Sequence, residues 1–154
     1  MRVSTFKLLT IIIFIFGAGI VTAKDLVIDN KDSRLILTGE QIRENFKFHA
    51  VNTTTYWSEN ISLYEGPYLK DILSYTGIEA DDFFSIYAYD GFSVQFDDPS
   101  ILDKYNPILA VTMDGAPLNK KWGPYFIISD HSMDPPMDDN YWVWAVKGIR
   151  YYQE

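Results

Sequence analysis

Fourteen uncharged residues near the start of the chain, LLTIIIFIFGAGIV at 8–21, decide how much of it is free to fold. Arg2 and Lys7 precede them, and Val21-Thr22-Ala23 follows with small or β-branched side chains. A basic head, an apolar middle and a small-residue exit form the pattern of a secretory signal, with cleavage expected after Ala23. The competing reading is a retained membrane anchor, but a spanning helix needs about 20 apolar residues. What is left, residues 24–154, is 131 residues. That is enough for one domain with a real core.

Removing Arg2 and Lys7 from the 13 basic residues leaves 11 against 21 acidic ones, a net charge of −10. Such a surface repels a phosphate backbone, so nucleic acid is excluded as a partner class, and anionic lipid is disfavoured. The chain has no cysteine. A domain of this size can be stable without disulfides. The same absence removes thiol catalysis, thiolate ligands and redox switching. Sequons at Asn52 and Asn60 matter only in a glycosylating secretory pathway.

Short apolar runs separated by turn residues predict an α+β domain with a mixed β-sheet and two or three short helices. Residues 26–30 and 34–37 read as strands. Thr38 stands three residues before Gln41, the spacing of a capping box, and opens a helix. Residues 48–54 are a strand, 53–59 a polar aromatic loop, and 61–64 a second short strand. Pro67 starts a helix, as the proline of its first turn, and Gly77 ends it, with Leu69, Ile72 and Leu73 as its buried stripe. Asp90-Gly91 joins strands at 83–89 and 92–96. A short helix is expected within 97–106 and one buried strand over 108–113, turned back by Asp114-Gly115. Residues 123–129 form another strand, 130–140 a long acidic loop, and 141–152 the last strand or strand pair.

Several segments carry a family pattern in a fixed order. After the TGE helix come YEGPYLKDILSYTGI at 64–78, AYDGFSVQF at 88–96, ILAVTMDGAPL at 108–118, KWGPYFIISD at 121–130 and WVWAVKGIRYY at 142–152. The series resembles the molybdopterin-binding core domain of the sulfite oxidase fold across nearly all of residues 24–154. It resembles most the small stand-alone exported members, some of them PruR-like pterin-binding proteins. Those act with membrane-bound enzymes that make or degrade cyclic di-GMP. The resemblance therefore implies a periplasmic or secreted protein with a pterin as ligand. The implied partner is the periplasmic domain of a membrane diguanylate cyclase or phosphodiesterase.

Two departures shape that implication. Catalytic members hold molybdenum through a cysteine in the loop that here reads Asn52 to Ser58, and neither hydroxyl nor indole replaces a soft thiolate. They also carry an arginine-bearing segment that grips the cofactor phosphate, where this chain has Lys121-Trp122-Gly123-Pro124-Tyr125-Phe126-Ile127. Beyond the signal the arginines are Arg34, Arg43 and Arg150. The expectation is a pterin site without molybdenum or any other bound metal, and no catalytic residue is identified.

A pterin is a flat bicycle with a 2-amino-4-oxo edge. Aromatic faces can stack on its rings, and Tyr56, Trp57, Tyr89, Phe92, Trp122 and Tyr125 are the candidates. A carboxylate can accept from the amino group and the neighbouring ring N–H together. Asp90 is the first choice and Asp114 the second. Thr55 and the amides of Gly91 and Gly123 are candidates for the carbonyl or side-chain oxygens. Aromatic residues make up 16% of the chain, so part of this set belongs to ordinary packing, and both Asp-Gly pairs are good turns whatever they bind.

Other sites are poorly supported. His49 and His131 are too few for a histidine metal centre. Ser129, Asp130 and His131 are consecutive and cannot converge as a triad. The loop at 130–140 either covers the pocket, docks a partner or is simply solvated. The remaining functional alternatives are a molybdopterin-dependent oxidoreductase and a carbohydrate- or peptide-binding module.

Overall fold

A computed structural model describes residues 24–79 and 81–152. The expected signal at 1–23 and its cleavage site lie outside the described residues. Among the described residues no helix is long and apolar enough to cross a membrane.

The first two strands, β1 (Leu26–Asp29) and β2 (Arg34–Leu37), form an antiparallel pair. Helix α1 (Gly39–Asn45) follows at once. Thr38 caps it, its hydroxyl accepting from the Gln41 amide at 3.1 Å while the Gln41 side chain accepts from the Thr38 amide at 2.9 Å. This reciprocal box satisfies two N-terminal donors that would otherwise lack partners. Ile42 is fully buried and Phe46 packs edge-on against Tyr75.

A hairpin of β3 (His49–Thr55) and β4 (Ser58–Gly66) comes next. Sequence reading placed a loop over 53–59 and a strand of four residues after it. The hairpin is longer and its turn shorter. Thr55 pairs with Ser58, so only Tyr56 and Trp57 are left at the tip. The threonine run, β-branched throughout, continues the pleat instead of leaving it. His49, Val51, Thr53 and Thr55 turn toward the core, while Ala50 and Asn52 face solvent. Gly66 ends β4 where a Cβ would collide with the Leu109 carbonyl, so this crossing admits only glycine without a backbone shift.

Helix α2 (Leu69–Thr76) starts two residues after Pro67, with Tyr68 at the cap position. Leu69, Ile72 and Leu73 form its buried face, each worth about 1.5–3 kcal/mol of burial. Gly77 closes it at φ 77, the left-handed geometry of a helix C-cap. Strands β5 (Phe84–Ala88) and β6 (Ser93–Phe96) pair across the Asp90-Gly91 turn, and α3 (Ser100–Tyr105) follows.

The run at 108–113 was expected to be one strand. It divides at Val111 into β7 (Ile108–Ala110) and β8 (Thr112–Met113), which belong to different sheets. β7 pairs with β10 (Phe126–Ile128); β8 pairs with β4 and with β9 (Ala116–Pro117). The last strand, β11 (Val146–Tyr151), is shorter than the apolar run that suggested it. A short 3-10 turn at Asp139–Tyr141 and an irregular stretch through Ala145, at φ 50, precede it.

The largest sheet has the order β2-β1-β11-β5-β6. It is mixed: β1 and β11 run parallel, and the other neighbours antiparallel. One face carries Leu26, Ile28, Phe84, Ile86 and Ile149 into a core shared with α2, β7 and β10. On the other face the Tyr87 ring lies against Gly148, where a Cβ would stand 2.5 Å from the Tyr87 hydroxyl oxygen.

Candidate functional site

All four tryptophans of the chain meet at the tip of the β3–β4 hairpin. Trp57 lies parallel to Trp122, with centroids 5.2 Å apart and planes 11° from parallel. Trp122 in turn stacks on Phe126 at 5.8 Å and 17°. The three rings form a column that runs from solvent, where Trp57 is 44% exposed, into the core at buried Phe126. Trp144 stands edge-on to Trp57 and Trp122, at 5.2 and 5.7 Å. Trp142 stands edge-on to Trp57 and Phe126. Stacked and edge-to-face pairs each contribute about 0.5–1.5 kcal/mol beyond area burial. The tip is therefore held in place although its turn projects from the sheet.

Tyr56, the other tip residue, is 56% exposed and stands edge-on to His131 at 5.4 Å and to Trp142 at 6.3 Å. His131 and Trp142 are themselves edge-on at 5.5 Å. The His131 amide donates to Thr53 Oγ1 at 2.8 Å, which ties the acidic loop to β3. Thr55 Oγ1, Ser129 Oγ, His131 Nδ1 and Trp142 Nε1 are buried and have no hydrogen-bonding partner among the described residues. A buried polar group without a partner costs about 1–3 kcal/mol. Four such groups at one end of the molecule are therefore unusual for a packed core.

Of the residues singled out from sequence, Thr55, Tyr56, Trp57 and Trp122 are brought together here. Gly123 follows Trp122 directly, but its amide donates to the Asn119 carbonyl at 2.8 Å. Tyr125 is fully buried, and its hydroxyl donates to the Lys24 carbonyl at 2.8 Å. Burial pushes that phenol well above its usual range, so it stays protonated. Its ring is a core element, not an open face.

Tyr89, Asp90, Gly91 and Phe92 form the separate β5–β6 turn. The Tyr89 amide donates to the Ala145 carbonyl, and the Ala145 amide to the Trp122 carbonyl, so one residue links this turn to the tryptophan segment. The Tyr89 ring has Lys24 Nζ at 4.3 Å and Lys147 Nζ at 5.8 Å from its centroid. Asp90 Oδ1 accepts from the Phe92 amide at 3.0 Å, and the Gly91 amide donates to the Ala88 carbonyl. Asp114 lies at φ 52 in the β8–β9 turn, where its Oδ1 accepts from the Leu63 amide at 2.8 Å. Leu63 is about 17 Å of extended strand from Ser58 beside the tip. Both carboxylates thus shape turns, and Asp114 is remote from the tryptophans.

His131, Ser129, Trp142 and Trp144 were not among the sequence candidates. The Trp142-Val143-Trp144 alternation was a readable sign, because residues two apart in extended chain share a side. His131 had no such sign, since its position depends on how the loop folds back onto Thr53.

The donors at the tip are hydroxyl, imidazole and indole, and they do not fit a molybdenum–thiolate centre. Among the described residues no three His, Cys, Asp or Glu side chains converge as a metal site. Arg34 and Arg150 both approach Asp29, at 2.6 and 3.6 Å, and Arg43 approaches the Gly39 carbonyl of its own helix. Among the described residues, Lys121 is a cation on the tryptophan column, its Nζ 4.4 Å from the Trp122 ring centroid.

No protein-family model matches the chain, and no curated protein does. Among solved structures it is similar to the sulfane dehydrogenase SoxCD from Paracoccus pantotrophus, with a TM-score of 0.65 and 15% identity. The likeness covers 84% of this chain and 38% of that one, so the chain spans well under half of its structural neighbour. At that identity the likeness is one of fold. The chain thus has the α+β, sulfite oxidase-like molybdopterin-binding fold, with threonine, tyrosine and tryptophan at its β3–β4 tip.

Proposed function

We propose that this chain is an exported, non-catalytic binding protein that takes a pterin without molybdenum. In this reading it passes its ligand state to the periplasmic domain of a membrane-bound enzyme that makes or degrades cyclic di-GMP. The observation that carries the binding half is the tryptophan column ending in partly exposed Trp57. One face of Trp57 is stacked on Trp122, which leaves the opposite face for a flat heterocycle. Trp142 and Trp144 brace the ring from the side, so little ordering is needed when a ligand arrives. Lys121 offers a positive charge beside the column for an oxygen-rich ligand side chain. The signalling half rests on the family resemblance.

Extraction of the protein purified from its natural host tests this reading. The extract should carry pterin fluorescence for wild type and lose it for Trp57→Ala. A pterin-free extract together with saturable binding of a sugar would overturn it in favour of a carbohydrate module. Stoichiometric molybdenum in the purified protein would overturn it in favour of an oxidoreductase.

A further inference from the structure

The tip offers more than a stacking face. Beneath it lie an indole N–H at Trp142, hydroxyls at Thr55 and Ser129, and an imidazole nitrogen at His131, all buried and without protein partners among the described residues. Trp142 and Thr55 are more than nine-tenths buried as residues, and Ser129 is fully buried. The exposed ring of Tyr56 stands edge-on to both His131 and Trp142. His131 also lines a depression of about 260 Å³, together with Asn52, Thr53, Thr54, Ile61, Asp130 and Ser132.

From this arrangement we infer that the edge of the ligand is read by Thr55, His131 and Trp142, with Ser129 behind them, and not by the turn carboxylates Asp90 and Asp114. The inference rests on the pterin reading above and assigns its specificity. The chemistry matches group by group. Indole Nε1–H is only a donor, and it suits the 4-oxo group. The buried imidazole nitrogen of His131 is placed as acceptor for the ring N–H, and a threonine hydroxyl accepts from the 2-amino group. A site built to hydrogen-bond such an edge rejects analogues that lack it, because its own buried groups then stay unpaired. Asp90 and Asp114 already accept from backbone amides of their turns, which is the physical reason to prefer the buried set.

The chain has two histidines, and they make the test clean. His49 stacks on Tyr68 with centroids 3.6 Å apart, and neither ring belongs to the tryptophan column, so it serves as an internal control. Biopterin is added to the wild-type protein while the imidazole resonances of both histidines are followed by NMR. The His131 signals should shift with saturation and those of His49 should not. In parallel, biopterin is compared with its 3-methyl derivative, in which a methyl group replaces the hydrogen of the ring N–H. Wild type should prefer biopterin by about tenfold or more, and His131→Ala should erase that preference, while Thr55→Val should weaken both ligands alike.

An unmoved His131 signal at saturating biopterin would overturn the assignment, even if either variant failed to fold. Equal discrimination by folded His131→Ala and wild type would do the same. In both cases loss of biopterin binding in Trp57→Ala would leave the pterin reading standing, so the two failures are distinguishable. No binding of biopterin by wild type would sink the reading and this inference together.

Discussion

Asp29 stands at the end of β1 with Arg34 Nε 2.6 Å from one carboxylate oxygen and Arg150 Nε 3.6 Å from the other. Its hydrogen bond to Arg34 is the largest of the causes that hold its carboxyl below the usual carboxylate range. A depressed carboxylate stabilises the fold above its unfolded pKa and loses that contribution as pH falls through the folded value. Asp29→Asn should therefore cost about 0.5–1 kcal/mol at neutral pH, since both arginines are largely exposed. The difference from wild type should narrow as pH falls below about 4. Urea denaturation at a series of pH values checks this; a difference that grew toward acid would contradict it. At the same scale, the arginines of this cluster are engaged with Asp29, which is why they are poor candidates for a phosphate grip.

Among the elements, the β3–β4 hairpin has the most unusual construction. Its two-residue turn presents two large aromatic rings, and the exposed one of the stacked pair is anchored by a segment far away in sequence. Trp57 and Trp122 should couple by about 0.5–1.5 kcal/mol in a double-mutant cycle with alanine, read by denaturant unfolding. Additive single losses would mean that the stacked geometry contributes nothing. Local signals in the sequence located most elements. The Thr38–Gln41 box, the Pro67-to-Gly77 helix and the Asp90-Gly91 turn all depend on neighbouring residues, and all three formed within a residue or two. What local signals could not give was pairing. The 108–113 run divides because its halves find different partners, β10 and β4, and no property of the run itself announces that. The same applies to the site. Thr55, Tyr56 and Trp57 were legible as a polar aromatic tip. Their convergence with Trp122, His131 and Trp142 exists only once three separate segments have folded together.

At the scale of the whole molecule, a single contiguous core under a five-stranded mixed sheet carries the aromatic hairpin tip, the proposed binding end. The scaffold is the sulfite oxidase-like fold, and the chemistry at its tip is that of stacking and hydrogen bonding. The proposed ligand contact is a pterin stacked on Trp57. Its most direct test is a titration of the ligand-free protein with biopterin, read by tryptophan fluorescence and by calorimetry. Pterin absorption overlaps tryptophan emission, so binding at the column should quench strongly and saturably, with matching heat. Trp57→Ala, confirmed folded by circular dichroism, should lose both signals. Absence of quenching and of heat in wild type at concentrations up to about 1 mM, the weak limit of specific binding, would contradict the account.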